Sequence, residues 1–156
     1  METESKKSCL YLFLDEGGDL GFNPKGSRYW TFSAVTAVRP FVWDASLTEY
    51  KYDLLEWGLD IQGFHAAQDN RYVRKRVLGI ISGMSGQMRI DSVVVEKAKT
   101  GPALQREERF YPRMLGYLVR YVIQVERLSS GTQVIVVTDT IPLLGKRRAI
   151  EKSINW

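Results

Sequence analysis

Tyr11-Leu12-Phe13-Leu14-Asp15-Glu16-Gly17-Gly18-Asp19 is the stretch on which the fold turns. Four consecutive apolar residues, Tyr11 to Leu14, predict a strand buried on both faces, because a half-exposed strand alternates apolar with polar side chains. The strand runs directly into two acids, two glycines and a third acid. Carboxylates crowded just beyond a core strand repel one another and lose hydration, so they require a counter-cation or open water. A divalent metal meets that need. So does an ordinary polar turn, with Gly17 and Gly18 reversing the chain and the acids facing solvent.

Outward from this stretch, Gly21, Asn23, Pro24 and Gly26 make a dense set of turn residues, and Tyr29 to Val38 reads as a second strand with one polar face. Asp44 is placed to cap a helix running to about Trp57 and ended by Gly58. Ile61 to His65 reads equally as a short strand or an ordered loop. Asp69 is placed to cap the next helix, whose buried face is Val73, Val77, Ile80, Ile81 and Met84. Val93-Val94-Val95 predicts a buried β-branched strand ending at Glu96. Pro112 is expected in the first turn of a long helix with the stripe Met114, Leu115, Leu118, Val122 and Val125, with Gly131 beyond its end. Val134 to Val137 is a second four-residue β-branched run, ending at Thr138-Asp139, and Pro142 opens a last helix containing Ile150 and Ile154. Strands interleaved with helices predict an α/β protein with a mixed sheet flanked by helices.

The 156 residues predict a single domain, 1–156, large enough for a core without disulfides. Cys9 is the only cysteine, which excludes an intrachain disulfide and zinc-finger spacing. No apolar run approaches membrane-spanning length and the polar N-terminus lacks a signal-peptide core, so a cytoplasmic protein without a membrane partner is expected. The net charge of +4 permits an anionic partner such as nucleic acid. With His65 the only histidine, acid–base or metal chemistry must rest mainly on carboxylates.

Asp15 and Asp139 each follow a continuous apolar strand at its C-terminal end. If those strands are parallel neighbours, the two acids meet where ligands gather in open α/β sheets. Two close carboxylates favour a hard cation, magnesium or manganese, which polarises a phosphodiester and activates water. Asp139 reads equally as a cap or turn residue ahead of Pro142.

Here the sequence resembles a known family. The opening Tyr-Leu-Phe-Leu-Asp-Glu-Gly-Gly-Asp is similar to the signature of the family called domain of unknown function 3800. The resemblance continues through Trp30-Thr31-Phe32-Ser33-Ala34-Val35, Gly63-Phe64-His65-Ala66 and Val134-Ile135-Val136-Val137-Thr138-Asp139, in the expected order. It implies an RNase H-like fold and a metal-dependent nuclease or other phosphodiester-acting protein, of a kind frequent in bacterial and mobile-element genomes. It also implies that Asp15 and Asp139 hold metal, with Glu16 and Asp19 as the remaining acids of the first motif. Members usually continue past the last helix into a Gln-x-Ala-Asp-like motif, which this chain lacks. The resemblance therefore also implies a domain cut short at its C-terminus, an incomplete metal site, self-association through an uncovered apolar surface, and the alternative of a catalytically degenerate binding module.

Secondary candidates surround this site. His65 changes charge near neutral pH, which suits proton transfer or substrate orientation; beside Phe64 it reads equally as a packed residue, and the resemblance is what raises it. Glu96 and Lys97 fall at the opposite end of the sheet if their strand opposes the first. Glu49, Asp53 and Glu56 lie on the first helix, where a solvated face explains them as well as a ligand role. Arg71, Arg74 and Lys75 line one helix face, Lys146, Arg147 and Arg148 open the last helix, and Arg106, Arg113, Arg120 and Arg127 repeat every seven residues. Such stripes track a phosphate backbone or simply face water.

Overall fold

The computed structural model describes residues 9–128 and 131–138. Four strands, β1 (Cys9–Gly17), β2 (Tyr29–Ala37), β3 (Met88–Glu96) and β4 (Gln133–Thr138), form one sheet in the order β3-β2-β1-β4. Three α-helices accompany them: α1 (Val42–Glu56), α2 (Arg71–Gly83) and α3 (Glu107–Glu126). The chain is α/β with a mixed sheet, as the alternation of apolar runs predicts.

β1 and β4 are parallel, in a register that runs from Cys9 opposite Gln133 to Leu14 opposite Thr138. β2 returns beside β1 after the loop 18–28, and Thr31 Oγ1 near its start donates to Gly17 O at the exit of β1, 3.4 Å away. β3 opposes β2: Ser33 Oγ lies 2.8 Å from Ser92 Oγ, and Lys97 N donates to Arg28 O at 3.1 Å. β3 therefore points the same way as β1. Glu96 and Lys97 come to the same end of the sheet as Asp15, which corrects the expectation attached to an opposed strand.

The described chain packs as two compact units. The first holds the strands and α3, with residues up to Thr36 and from Ile90 onward. Its core joins Leu10, Leu12 and Leu14 of β1, Trp30, Phe32 and Ala34 of β2, and Phe110, Tyr111, Met114, Leu115, Leu118, Val119 and Val122 of α3. Trp30 meets Phe110 edge-on at 5.0 Å between ring centroids, and Phe32 meets Tyr111 at 5.3 Å. The second unit, Ala37–Arg89, has a small core of Tyr50, Leu54 and Val73, with Phe64 stacked on Tyr50 at 5.7 Å.

Several local expectations are corrected. β1 is not buried on both faces: Leu10, Leu12 and Leu14 are buried beneath α3, while Tyr11 and Phe13 stack at 6.3 Å on the other, half-buried face. β4 is the outer strand of the described sheet, and Val137 is 41% exposed. Ile90 and Val94 of β3 are exposed too, because they share its outward face, while Val93 and Val95 alternate to the side packed against the core. α3 begins at Glu107, so Pro112 lies inside the helix and not in its first turn. Phe110 and Tyr111, buried against Trp30 and Phe32, draw the preceding turn into the helix, while Val125 at its far end is exposed.

α1 begins at Val42, and Phe41 is its cap residue without a side-chain cap bond; Asp44 lies in the first turn. Its end follows the glycine signal: Gly58, at φ +82°, lets Leu59 N reach Leu54 O at 2.9 Å and Gly58 N reach Leu55 O at 3.0 Å, a Schellman closure. α2 is capped one residue later than expected. Asn70 Oδ1 accepts from Tyr72 N and Val73 N at 2.9 and 3.0 Å. The last helix expected after Pro142 lies outside the described residues.

Candidate functional site

Asp15 and Glu16 end β1 at the carboxyl end shared with β4. Successive residues of a strand point to opposite faces. Glu16 therefore continues the Leu10-Leu12-Leu14 face toward α3 and is half-buried, while Asp15 continues the Tyr11-Phe13 face and is exposed. Tyr111 of α3, only 2% exposed, brings its hydroxyl to this end, where its partners are the side chains of Glu16 and Thr138. A carboxylate only accepts, so the phenol donates to Glu16; the Thr138 hydroxyl is left to donate to the phenol oxygen. Burial first, then the charge of Glu16, push the Tyr111 phenol above its ordinary range and keep it protonated as that donor.

The third acid of the motif is used differently. Asp19 organises the β1–β2 loop: its carboxylate accepts from Gly21 N at 2.8 Å, from Ser27 N and from Lys97 Nζ at 3.0 Å. The Ser27 N–H first, and the Lys97 ammonium after it, hold the carboxyl well below the usual range. Lys97 is 5% exposed and spends its donors on Asp19 O, Asp19 Oδ1 and Gly21 O, at 3.0, 3.0 and 2.6 Å. The loop closes only with glycine at Gly26, where an added Cβ would stand 2.5 Å from Gly21 O and 3.2 Å from Lys97 Nζ. Glu96 is paired with Lys99 at 2.7 Å and Arg28 at 2.9 Å. The turn reading of the Gly-Gly-Asp stretch thus accounts for Asp19, and Glu96 is likewise committed to cations of the chain.

The remaining predicted residues fall elsewhere. His65 is exposed in the second unit, where its N–H donates to Asp69 Oδ2 at 2.8 Å and its carbonyl accepts from Asp69 N at 2.8 Å. This turn occupies Asp69 in place of the helix cap. Arg71, Arg74 and Lys75 are exposed on α2, with Arg74 Nη1 donating to Ala66 O at 2.9 Å. Glu49 and Asp53 line a cleft of about 300 Å³ in the same unit, opposite Arg76, Gly79 and Gly83. Asp139, Lys146 and Arg147 lie outside the described residues. Among the described residues no three His, Cys, Asp or Glu side chains converge as a metal-ligand group. Asp15 and Glu16 offer the hard oxygen donors that magnesium or manganese takes, but on opposite faces of a strand they require a further carboxylate to hold one ion.

Sequence reasoning did not find Tyr111, Thr138 or the role of Lys97. Tyr111 looks like one more residue of an apolar stripe, and its hydroxyl acquires a role only through its neighbours across the sheet. No family model, no curated protein and no solved structure matches the chain. Among the described residues no helix is long and apolar enough to cross a membrane.

Proposed function

We propose that the protein is a divalent-metal-dependent, phosphodiester-acting protein of RNase H-like kind, with Asp15 and Asp139 as its principal metal-holding acids. The supporting observation is the parallel register of β1 and β4, whose last pair, Leu14 and Thr138, directly precedes Asp15 and Asp139 in sequence. In this reading Asp15 contributes an exposed carboxylate, and Glu16, held by Tyr111 on the other face of β1, assists through its charge. An ion held there polarises a phosphodiester and lowers the pKa of a bound water. Asp19 has no part in the site, being occupied by Lys97 and the loop N–H groups.

A second reading is a binding module of the same architecture without catalysis. It is favoured by that commitment of Asp19, which leaves the first motif fewer acids than a two-ion phosphodiester site uses. Thermal unfolding with and without millimolar manganese tests both. The expected result is a stabilisation of about 2.7 kcal/mol when the metal is at a hundredfold excess over its Kd. Asp15→Asn abolishes it while leaving the metal-free midpoint at least as high, because it removes charge and keeps shape. No manganese-dependent shift in the wild type overturns the metal site. A shift without cleavage of labelled DNA or RNA establishes the second reading.

A further inference from the structure

We propose that the exposed face of α3 binds single-stranded nucleic acid, its arginines taking phosphates and its tyrosines stacking on bases. The buried face of the helix, Met114, Leu115, Leu118 and Val122, packs into the core, which turns Arg109, Arg113, Tyr117, Arg120, Tyr121 and Gln124 outward. At 3.6 residues per turn, Arg109, Arg113, Tyr117 and Arg120 fall within about 80° of one another, on a stripe that runs roughly 22 Å to Gln124.

Two features separate this stripe from an ordinary wet helix face. From Arg109 to Val125 the sequence contains no aspartate or glutamate. A helix face built only for solubility interleaves acids with bases, whose pairing at i,i+4 supports the helix. Its exposed large side chains are moreover aromatic: Tyr117 is 42% and Tyr121 49% exposed. Arg113 lies over the Tyr117 ring at 5.1 Å and its Nε donates to Tyr117 Oη at 3.0 Å. That geometry presents a cation and an aromatic ring side by side. Proteins that bind single strands without sequence preference combine these two elements, a cationic track for the backbone and rings for the bases. A duplex, with its bases stacked inside, has no use for the rings.

The N-terminal part of α3 lies at the end of the sheet that carries Glu16. Tyr111, two residues before Arg113, reaches Glu16 at the carboxyl end of β1. Tyr111 itself is on the buried side of the helix and Asp15 on the sheet face away from α3, so the stripe and the candidate site share an end of the fold and not a face. The proposal rests on the exposed face of α3 alone, and binding itself needs no metal.

Fluorescence anisotropy in the presence of EDTA, with labelled oligothymidine, oligouridine and a blunt duplex, tests the proposal separately from the metal site. The wild type is expected to bind single strands more tightly than the duplex, and the better of the two single strands identifies the nucleic acid as DNA or RNA. Joint Arg113→Glu and Arg120→Glu should weaken binding roughly tenfold or more and flatten the log–log salt dependence by about 0.7 for each phosphate that is no longer neutralised. Joint Tyr117→Ala and Tyr121→Ala should weaken it roughly fivefold or more while leaving the salt slope in place. Arg113→Lys with Arg120→Lys keeps the charge and should retain most of the binding, and circular dichroism verifies that each variant is folded. The proposal is overturned by no binding at low salt, by tighter binding of the duplex, or by an equal loss from Arg71→Glu with Arg74→Glu on α2. Absence of a manganese shift leaves it standing.

Discussion

Lys97 carries its ammonium to a place almost without water, where three loop oxygens replace the hydration it gives up. Lys97→Met keeps the stem and deletes the donors, leaving Gly21 O and Asp19 O short of a partner. The expected cost is about 1–3 kcal/mol in urea unfolding, and an unchanged midpoint would show that the loop holds without the lysine. Asp19 gives the same loop a pH dependence. Its folded pKa lies below the ordinary 3.8, so the unfolded chain takes up the proton first as the medium is acidified. Its contribution is complete above the ordinary carboxylate range and is lost as pH falls from there toward the folded value. The stability gap between wild type and Asp19→Asn should therefore narrow steadily as the pH falls below about 5 and still be closing at about pH 2. Tyr111→Phe preserves the ring against Trp30 and Phe32 and removes the hydroxyl between Glu16 and Thr138. A loss of about 0.5–1.5 kcal/mol is expected, and a reduced manganese shift if Glu16 assists the ion. None of these partnerships is written in local sequence. Lys97 lies 78 residues from Asp19.

Elements were legible where the signal is a periodicity and less so where it is a boundary. The helical spacing of Val73, Val77 and Ile80 located α2, but two adjacent residues, Asp69 and Asn70, both make good caps. The choice went to Asn70 because Asp69 closes the His65 turn. Asn70→Ala should thus cost about 1 kcal/mol and shorten α2 at its start by circular dichroism, while Asp69→Ala loosens the turn and leaves the helix length unchanged. Gly58 was read correctly as a stop signal because only a residue tolerant of positive φ serves there. Pro112 misled in the other direction. Proline is favoured at a first helical turn, but the burial of Phe110 and Tyr111 outweighs one missing N–H and carries α3 back to Glu107. Four apolar residues in a row likewise predicted burial on both faces of β1. Tyr11 and Phe13 on the second face are half-buried and stack on each other at 6.3 Å.

At the scale of the molecule, the two units carry cores of very different size. Among the described residues, thirteen buried ones cluster between the sheet and α3, against three between α1 and α2. Local opening free energy follows buried apolar contact, so amides of β1, β2 and the middle of α3 should exchange last and those of α1 and α2 well before them. Equal protection in both units by hydrogen-exchange mass spectrometry would contradict this ordering. The sequence by itself determined the α/β class, the existence of the four strands and three helices of the described residues, and the Asp15-Glu16 pair at the end of an apolar run. Periodicity and turn chemistry are local properties, so a single chain displays them. The central place of β1 and its parallel pairing with β4 follow the expectation from the two apolar runs and the resemblance, whereas tertiary structure alone decided that β3 shares the direction of β1. It alone divided the acids of one motif, giving Asp19 to Lys97 and Glu16 to Tyr111 while leaving Asp15 exposed. The reason is physical: a carboxylate has the same chemistry at each position, and its role is set by which donors the fold brings within hydrogen-bond reach.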